Sequence, residues 1–348
     1  MNKRDLLRYV GDPSQLFGIK DYRVIGSKAD GMRAADVYTS AGLSFTVLPD
    51  RGMDIANLCY KGTNLSFMSS TGLTGSGYFC EDGARGFLKS FNVGFLTTCG
   101  LTYMGAACED EGEKLGLHGV ISNTPAYEVS PAVKTIGGNE AICISGKVRE
   151  ARMFGENLVL TREISCDTDG TGFKISDTVE NRGFDISPFM LLYHMNFGFP
   201  LLNEGDRLLL PSRKATPRDA EAQKGLSQCF EISPPAGKYQ EQVFFHDMIP
   251  DQEGNVTAGL ANEELELMVT VTYNKSQLPY FTHWKSMCEG QYVLGLEPGN
   301  CHVLGRDKAK ADGSLEYIGP GEIKRFEIDV NIIEGQEKIE NILKCKVS

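Results

Sequence analysis

Three short phrases in this chain share one grammar, an apolar strand followed by a polar residue and then by glycine or proline close behind. They are Leu117-His118-Gly119, Tyr193-His194-Met195-Asn196 and Leu296-Glu297-Pro298-Gly299-Asn300. Two imidazoles and a carboxylate at strand ends suit acid–base chemistry. Histidine titrates near neutral pH, and a carboxylate withdrawn from water has a raised pKa that fits a general base. Within Gly290 to Asn300 the apolar run Tyr292, Val293, Leu294 and Leu296 predicts a strand buried on both faces. Pro298 and Gly299 predict that this strand ends just behind Glu297. Taken singly, each histidine reads as a hydrogen-bonded strand-edge residue and Glu297 as the partner of a nearby Lys or Arg. Taken together, the three point to a site.

Other local signatures of chemistry are missing. The sequence has no G-x-x-x-x-G-K-[ST] phosphate loop, no G-x-G-x-x-G fingerprint and no G-x-S-x-G nucleophile elbow. The five histidines, His118, His194, His246, His283 and His302, show neither H-x-H nor H-E-x-x-H spacing, and none of the ten cysteines forms a C-x-x-C pair. No metal and no cofactor is expected. Distant histidines converging on a metal stay open at this level.

The elements that must position these residues read as strands. Glycine is abundant, at 39 of 348 residues, and short alternating or apolar runs recur between Gly, Asn and Asp turns. Strands are predicted at 42–49, 64–68, 94–100, 125–129, 141–148, 189–193, 265–273 and 324–332. The best hairpin runs from Leu158 to Cys166, turns at Asp167-Thr168-Asp169-Gly170 and returns from Phe173 to Val179. Residues 1–40 lack a clear period, and 70–86 and 211–242 read as loops. With no linker and no short repeat, one large antiparallel β structure with few short helices is the economical reading, a single domain over 1–348 with its first 40 or so residues packing as an extension.

Composition narrows the partners. Hydrophobic residues make up 41% of the chain, enough for a large core, and the formal net charge is −11. No Lys/Arg-rich block is present, so nucleic acid and anionic membranes are poor partners. No apolar run is long enough to span a bilayer, and the first residues lack a signal peptide's apolar core. The scattered cysteines then read as reduced thiols in a cytoplasmic protein.

Five phrases spread over residues 42–330 resemble the aldose 1-epimerase (galactose mutarotase-like) superfamily, and more closely a bacterial branch of it catalogued as a domain of unknown function. They are Leu48-Pro49-Asp50-Arg51-Gly52-Met53-Asp54-Ile55, Leu96-Thr97-Thr98-Cys99-Gly100-Leu101, Leu117-His118-Gly119 with Ser122-Asn123-Thr124-Pro125, Tyr193-His194-Met195-Asn196-Phe197-Gly198, and Leu294-Gly295-Leu296-Glu297-Pro298-Gly299-Asn300. The resemblance implies a β-supersandwich and a cofactor-free isomerase of small-molecule carbohydrates, monomeric or homodimeric. It implies that Glu297 takes the proton of the anomeric hydroxyl while His194 protonates the ring oxygen. It implies sugar-binding roles for His118 and, in Phe244-Phe245-His246-Asp247, for Asp247. Asn196 and Asn300 join them as candidate hydroxyl ligands, and Trp284, the only tryptophan, as a stacking surface or a core residue. The family's arginine before the first histidine is missing, because that region reads Thr97-Thr98-Cys99-Gly100. Arg51 or Lys285 is expected to take over its polar role, and Thr98 is a further candidate sugar-binding residue. Three rival readings share the residues: an isomerase, epimerase or lyase of a modified or keto sugar, a sugar-binding protein without turnover, and a glycosidase, which needs a second carboxylate.

Overall fold

The computed structural model describes residues 3–136 and 139–347, so Met1, Asn2, Gly137, Gly138 and Ser348 of the expected single domain lie outside the described residues. Antiparallel β structure dominates, in two large sheets. The twelve-stranded sheet runs in the order Gly18–Arg23, Arg33–Tyr38, Leu43–Leu48, Asp54–Tyr60, Leu96–Leu101, Ser187–Phe197, Gln291–Gly299, Tyr280–Cys288, Gln242–Met248 and Ser212–Pro217, with two short strands off this path. The eight-stranded sheet runs Tyr127–Ile136, Asn139–Ala151, Asn157–Asp167, Gly172–Asn181, Ile323–Glu334, Leu267–Asn274, Asn255–Asn262 and Arg207–Leu209.

Alternation along each strand decides what lies between the sheets. In Ser187–Phe197 the odd-numbered Phe189, Leu191, Tyr193, Met195 and Phe197 belong to the main apolar core. Its even-numbered residues, His194 and Asn196 among them, turn to the opposite face. The same parity sends Leu294 and Leu296 to the core and Glu297 to the other face, and it sends Phe281 and Met287 to the core and Thr282 and Trp284 away from it.

A buried ionic network crosses the core beneath these strands. Arg162, from the eight-stranded sheet, lies 2.7 Å from Asp177 and 3.1 Å from Asp54 of the other sheet. Thr98 donates to Asp54 at 2.6 Å, and the Tyr193 hydroxyl donates to Asp177 at 2.7 Å. A charge carried into an apolar core is retained only when paired and hydrogen-bonded on all sides, and this one is.

Several local expectations change. Pro298 does not end its strand, which continues through Gly299, with Phe281 opposite Pro298. The ladder to Ser187–Phe197 pairs Met195 with Leu296 and Leu192 with Gly299 and skips the positions between, where proline offers no N–H. Residues 18–38, which showed no period, supply two edge strands of the larger sheet. The stretch read as loop over 211–242 contains the strand Ser212–Pro217 and the helix Ala220–Lys224, capped by Asp219. The stretch over 70–86 runs into the helix Gly83–Leu88. A further helix, Gln336–Val347, follows the last long strand. None of the described helices is long and apolar enough to cross a membrane.

Candidate active site

On the face turned away from the core, four neighbouring strands of the larger sheet floor a cleft of about 440 Å³. His118, His194 and Glu297 all line it, with Thr282, Trp284, Arg218 and Glu241. Phe87, Leu88, Phe91, Leu117, Val303 and Leu304 supply apolar walls.

His194 and Glu297 come from adjacent strands and face each other. His194 Nε2 lies 3.2 Å from Glu297 Oε1. The distance is that of an ion pair, and Oε1 has no other hydrogen-bond partner in the protein. The His194 ring is held from behind. Asn196 donates its amide N–H to the His194 carbonyl at 2.8 Å, which turns its Oδ1 toward Nδ1 at 2.5 Å. Nδ1–H therefore donates to Asn196, and Nε2 carries the lone pair that meets Glu297. Phe91 and Trp284 meet the ring edge-on, at centroid distances of 5.5 and 5.1 Å.

Gly295 makes room for the carboxylate. A methyl group there would overlap Glu297 Oε1 and sit 3.1 Å from Trp284 Cβ. The histidine-glycine phrase also has a steric cause. Gly119 lies at φ +76° directly against the Gly100 and Tyr103 carbonyls, with no space for a side chain. His118 itself takes a left-handed backbone, φ +61°, and its amide donates to the Gly105 carbonyl at 2.9 Å. The loop is thus pinned to the Leu96–Leu101 strand, and the imidazole stands 5.8 Å from that of His194.

The electrostatics of the pair follow from burial. Desolvation lifts the Glu297 carboxyl well above the usual range, the Glu241 charge adds to this, and Arg218 opposes it. Desolvation lowers His194 to about 4 against the favourable bond from Asn196. His118 falls to about 3, through desolvation first and then the neighbouring His194 and Arg218. Burial therefore disfavours the charged form of both members of the pair, the reverse of what a charged Glu297 base and a charged His194 acid require.

The remaining sequence candidates stand elsewhere. Asn196 sits behind His194 and does not line the cleft. Thr98 faces the core and binds Asp54. Asn300 accepts from the Leu191 amide at 2.6 Å and donates to the Phe189 carbonyl at 3.0 Å, which ties two strands together. Arg51 is buried and donates to the Thr74 carbonyl at 2.7 Å. Lys285 points to the opposite side of its strand and caps the carbonyls of Gln228 and Glu231. Asp247 is half exposed and pairs with Lys275 at 2.8 Å. Among the described residues, no cluster of three or more His, Cys, Asp or Glu side chains has metal-binding geometry.

The family model described as a domain of unknown function, DUF4432, matches residues 29–332. The chain belongs to that family. No curated protein matches it. Among solved structures it is similar to a Klebsiella pneumoniae protein provisionally named an aldose 1-epimerase, at 24% identity and a TM-score of 0.90, over 99% of this chain and 89% of that one. It is also similar to a galactose mutarotase-like protein from Clostridium acetobutylicum, at 14% identity and TM-score 0.64, over 92% of this chain and all of that one. A galactose 1-epimerase from Lactobacillus acidophilus aligns at 13% identity and TM-score 0.60, over 92% of this chain and 100% of the other. At these identities the likeness is one of fold, and the fold of this DUF4432 member is galactose mutarotase-like.

Sequence reasoning missed two charged residues of the cleft. Arg218 and Glu241 bind each other at 3.0 Å, Arg218 also binds Asp219 at 2.8 Å, and Trp284 Nε1 donates to the second Glu241 oxygen at 2.8 Å. Both flank strands within the stretch read as loop. The Arg218 amide donates to the Val243 carbonyl, and Val243 pairs with Trp284, so sheet register brings the two to the site. The one local signal was Asp219, two residues ahead of Glu221 in a helix-start pattern.

Proposed function

We propose that this protein is an acid–base isomerase of a sugar, opening and reclosing a cyclic aldose as aldose 1-epimerases do, with Glu297 and His194 as the reacting pair. The observation that carries the reading is the 3.2 Å approach of His194 Nε2 to Glu297 Oε1 at the floor of a cleft, with the far side of the His194 ring held by Asn196. The pair shares one proton. On binding, that proton moves from Glu297 to Nε2, leaving a carboxylate beside an imidazolium. Glu297 then takes the proton of the anomeric hydroxyl, His194 protonates the ring oxygen, and the ring carbon–oxygen bond breaks to give the open-chain aldehyde. Rotation about the bond to the carbonyl carbon and reversal of the steps give the other anomer. No redox change and no covalent enzyme intermediate is required.

The charge balance of the cleft favours an uncharged sugar. Arg218 keeps its proton against partial burial because Asp219 and Glu241 both bind it, so its charge is already answered. The same contacts argue against a glycosidase. Glu241 is the second carboxylate of the cleft, but each of its oxygens is engaged, one by Arg218 and one by Trp284.

The test is a screen of free aldoses, uronic acids and sugar phosphates by polarimetry and proton NMR in deuterated water. Accelerated anomer exchange without deuterium at carbon is expected for a neutral aldose. Deuterium entering a carbon position would instead identify an epimerase or lyase using the same base, and saturable binding without either exchange would identify a binding protein.

A further inference from the structure

One buried polar atom of the cleft has no task in the scheme above. Thr282 is 1% exposed, lines the cleft and stands directly opposite Glu297 in the strand register. Its hydroxyl has no hydrogen-bond partner in the protein. The neighbouring threonines behave otherwise. Thr97, which pairs with His194 on the same face, donates to the Val93 carbonyl at 2.6 Å, and Thr98 donates to Asp54 at 2.6 Å. Burying a hydroxyl without a partner costs free energy, and valine has the same shape without that cost. The protein itself thus leaves the Thr282 hydroxyl free for a ligand of the cleft.

We infer that Thr282 is a substrate-binding residue, whose hydroxyl bonds the sugar hydroxyl next to the carbon at which Glu297 acts. This rests on the sugar-isomerase reading of the site. One row across the sheet then meets the sugar, with Thr282 and Glu297 at successive register positions and His194 against Glu297. Thr282 neither gives nor takes a proton in the reaction. It holds the ring so that the anomeric hydroxyl falls on the carboxylate, and a hydroxyl-for-hydroxyl contact of this kind rejects sugars deoxygenated or substituted at that position.

The experiment compares the wild-type protein with Thr282→Val and Thr282→Ser, on the neutral aldose turned over fastest, with thermal unfolding measured in parallel. Thr282→Val is expected to lower kcat/KM roughly 5- to 100-fold, the range for a hydrogen bond lost to a buried polar group. Its Tm should stay level or rise, because an unpartnered hydroxyl has been removed. Thr282→Ser should retain most of kcat/KM. On the sugar lacking the hydroxyl concerned, wild type and Thr282→Val should perform alike. A structural threonine gives the opposite pattern, a lower Tm with kcat/KM per folded molecule unchanged, and that result overturns the inference while leaving the reaction intact. If the wild type turns over no aldose, binding of D-galactose and D-glucose is measured by saturation-transfer NMR. Weaker binding by Thr282→Val then supports the contact without the chemistry. Equal binding, or none by the wild type, overturns it.

Discussion

At the scale of single residues, the site depends on two groups whose charged forms burial disfavours. Replacing Glu297 by Gln keeps shape and polarity but removes the proton-accepting carboxylate. Turnover should fall roughly a hundredfold to ten-thousandfold with the fold retained, as read by initial rates and circular dichroism. His194→Asn should cost a comparable factor. The double variant should be little worse than the poorer single one, because the two share one proton and act as a unit. The pH profile carries the signature of the pair. Activity needs one proton between Glu297 and His194. As pH falls through about 4, a second proton occupies Nε2, no base remains, and the rate drops. The acid limb of kcat/KM should therefore lie near 4, where an ordinary histidine would place it near 6.5. An acid limb at the ordinary value would remove His194 from the scheme.

At the scale of elements, the larger sheet places the chemistry and small residues keep it clear. Gly295 occupies a strand with Trp284 on one side and the carboxylate above it. Gly295→Ala should leave the strand intact, since alanine is tolerated in β structure, yet push Glu297 aside. A displacement of about 1 Å costs roughly a hundredfold in rate, and steady-state kinetics on a correctly folded variant would read it. The ionic network beneath the same strands bears on stability. Arg162→Met would leave Asp54 and Asp177 buried without their cation and the Tyr193 hydroxyl facing an uncompensated carboxylate. Removing one partner of such a network costs roughly 3–5 kcal/mol, to be measured by urea denaturation. A loss below about 1 kcal/mol would mean that the network fixes geometry and adds little to stability.

At the scale of the whole molecule, buried titratable groups set the pH range of the fold. His283 is fully buried, neither ring nitrogen has a partner, and desolvation followed by the charges of His246 and Lys285 holds its pKa well below 6.5. His246 is lowered to about 4 by burial. With folded pKa values below the unfolded ones, the unfolded chain binds more protons, so these histidines make stability fall as pH drops below about 6.5. Buried carboxyls act in the opposite sense. Burial raises Asp54 to about 6 and Asp206 to about 7, so the folded chain binds more protons there and stability falls as pH rises through those values. The difference between wild type and one variant isolates one group. His283→Leu should flatten the acid side of the stability profile by up to about 1.4 kcal/mol per pH unit, read by denaturation at pH 7 and pH 5. An unchanged slope would mean that His283 takes up no proton on unfolding in that range.

Much of this was written in local sequence. Period-two alternation marked the Asn157–Asp167 and Gly172–Asn181 hairpin, because strand faces alternate wherever one side is buried. The Leu117-His118-Gly119 phrase announced itself through its glycine, which stands where the backbone leaves no room for a Cβ. Those signals sufficed to draw His118, His194 and Glu297 into one group. Polar residues beside the same motifs could not be sorted that way. Thr98 and Asn300 lie within or next to the site strands yet spend their hydrogen bonds on Asp54 and on backbone, and Lys285 lies one residue from Trp284 and so points to the other face. Glu241 and the unpartnered Thr282 carry no local mark, and Arg218 has only the neighbouring helix-start Asp219. Sheet register, a contact between segments far apart in the chain, decides that they meet Glu297, and no local pattern encodes which distant strand a given edge will choose.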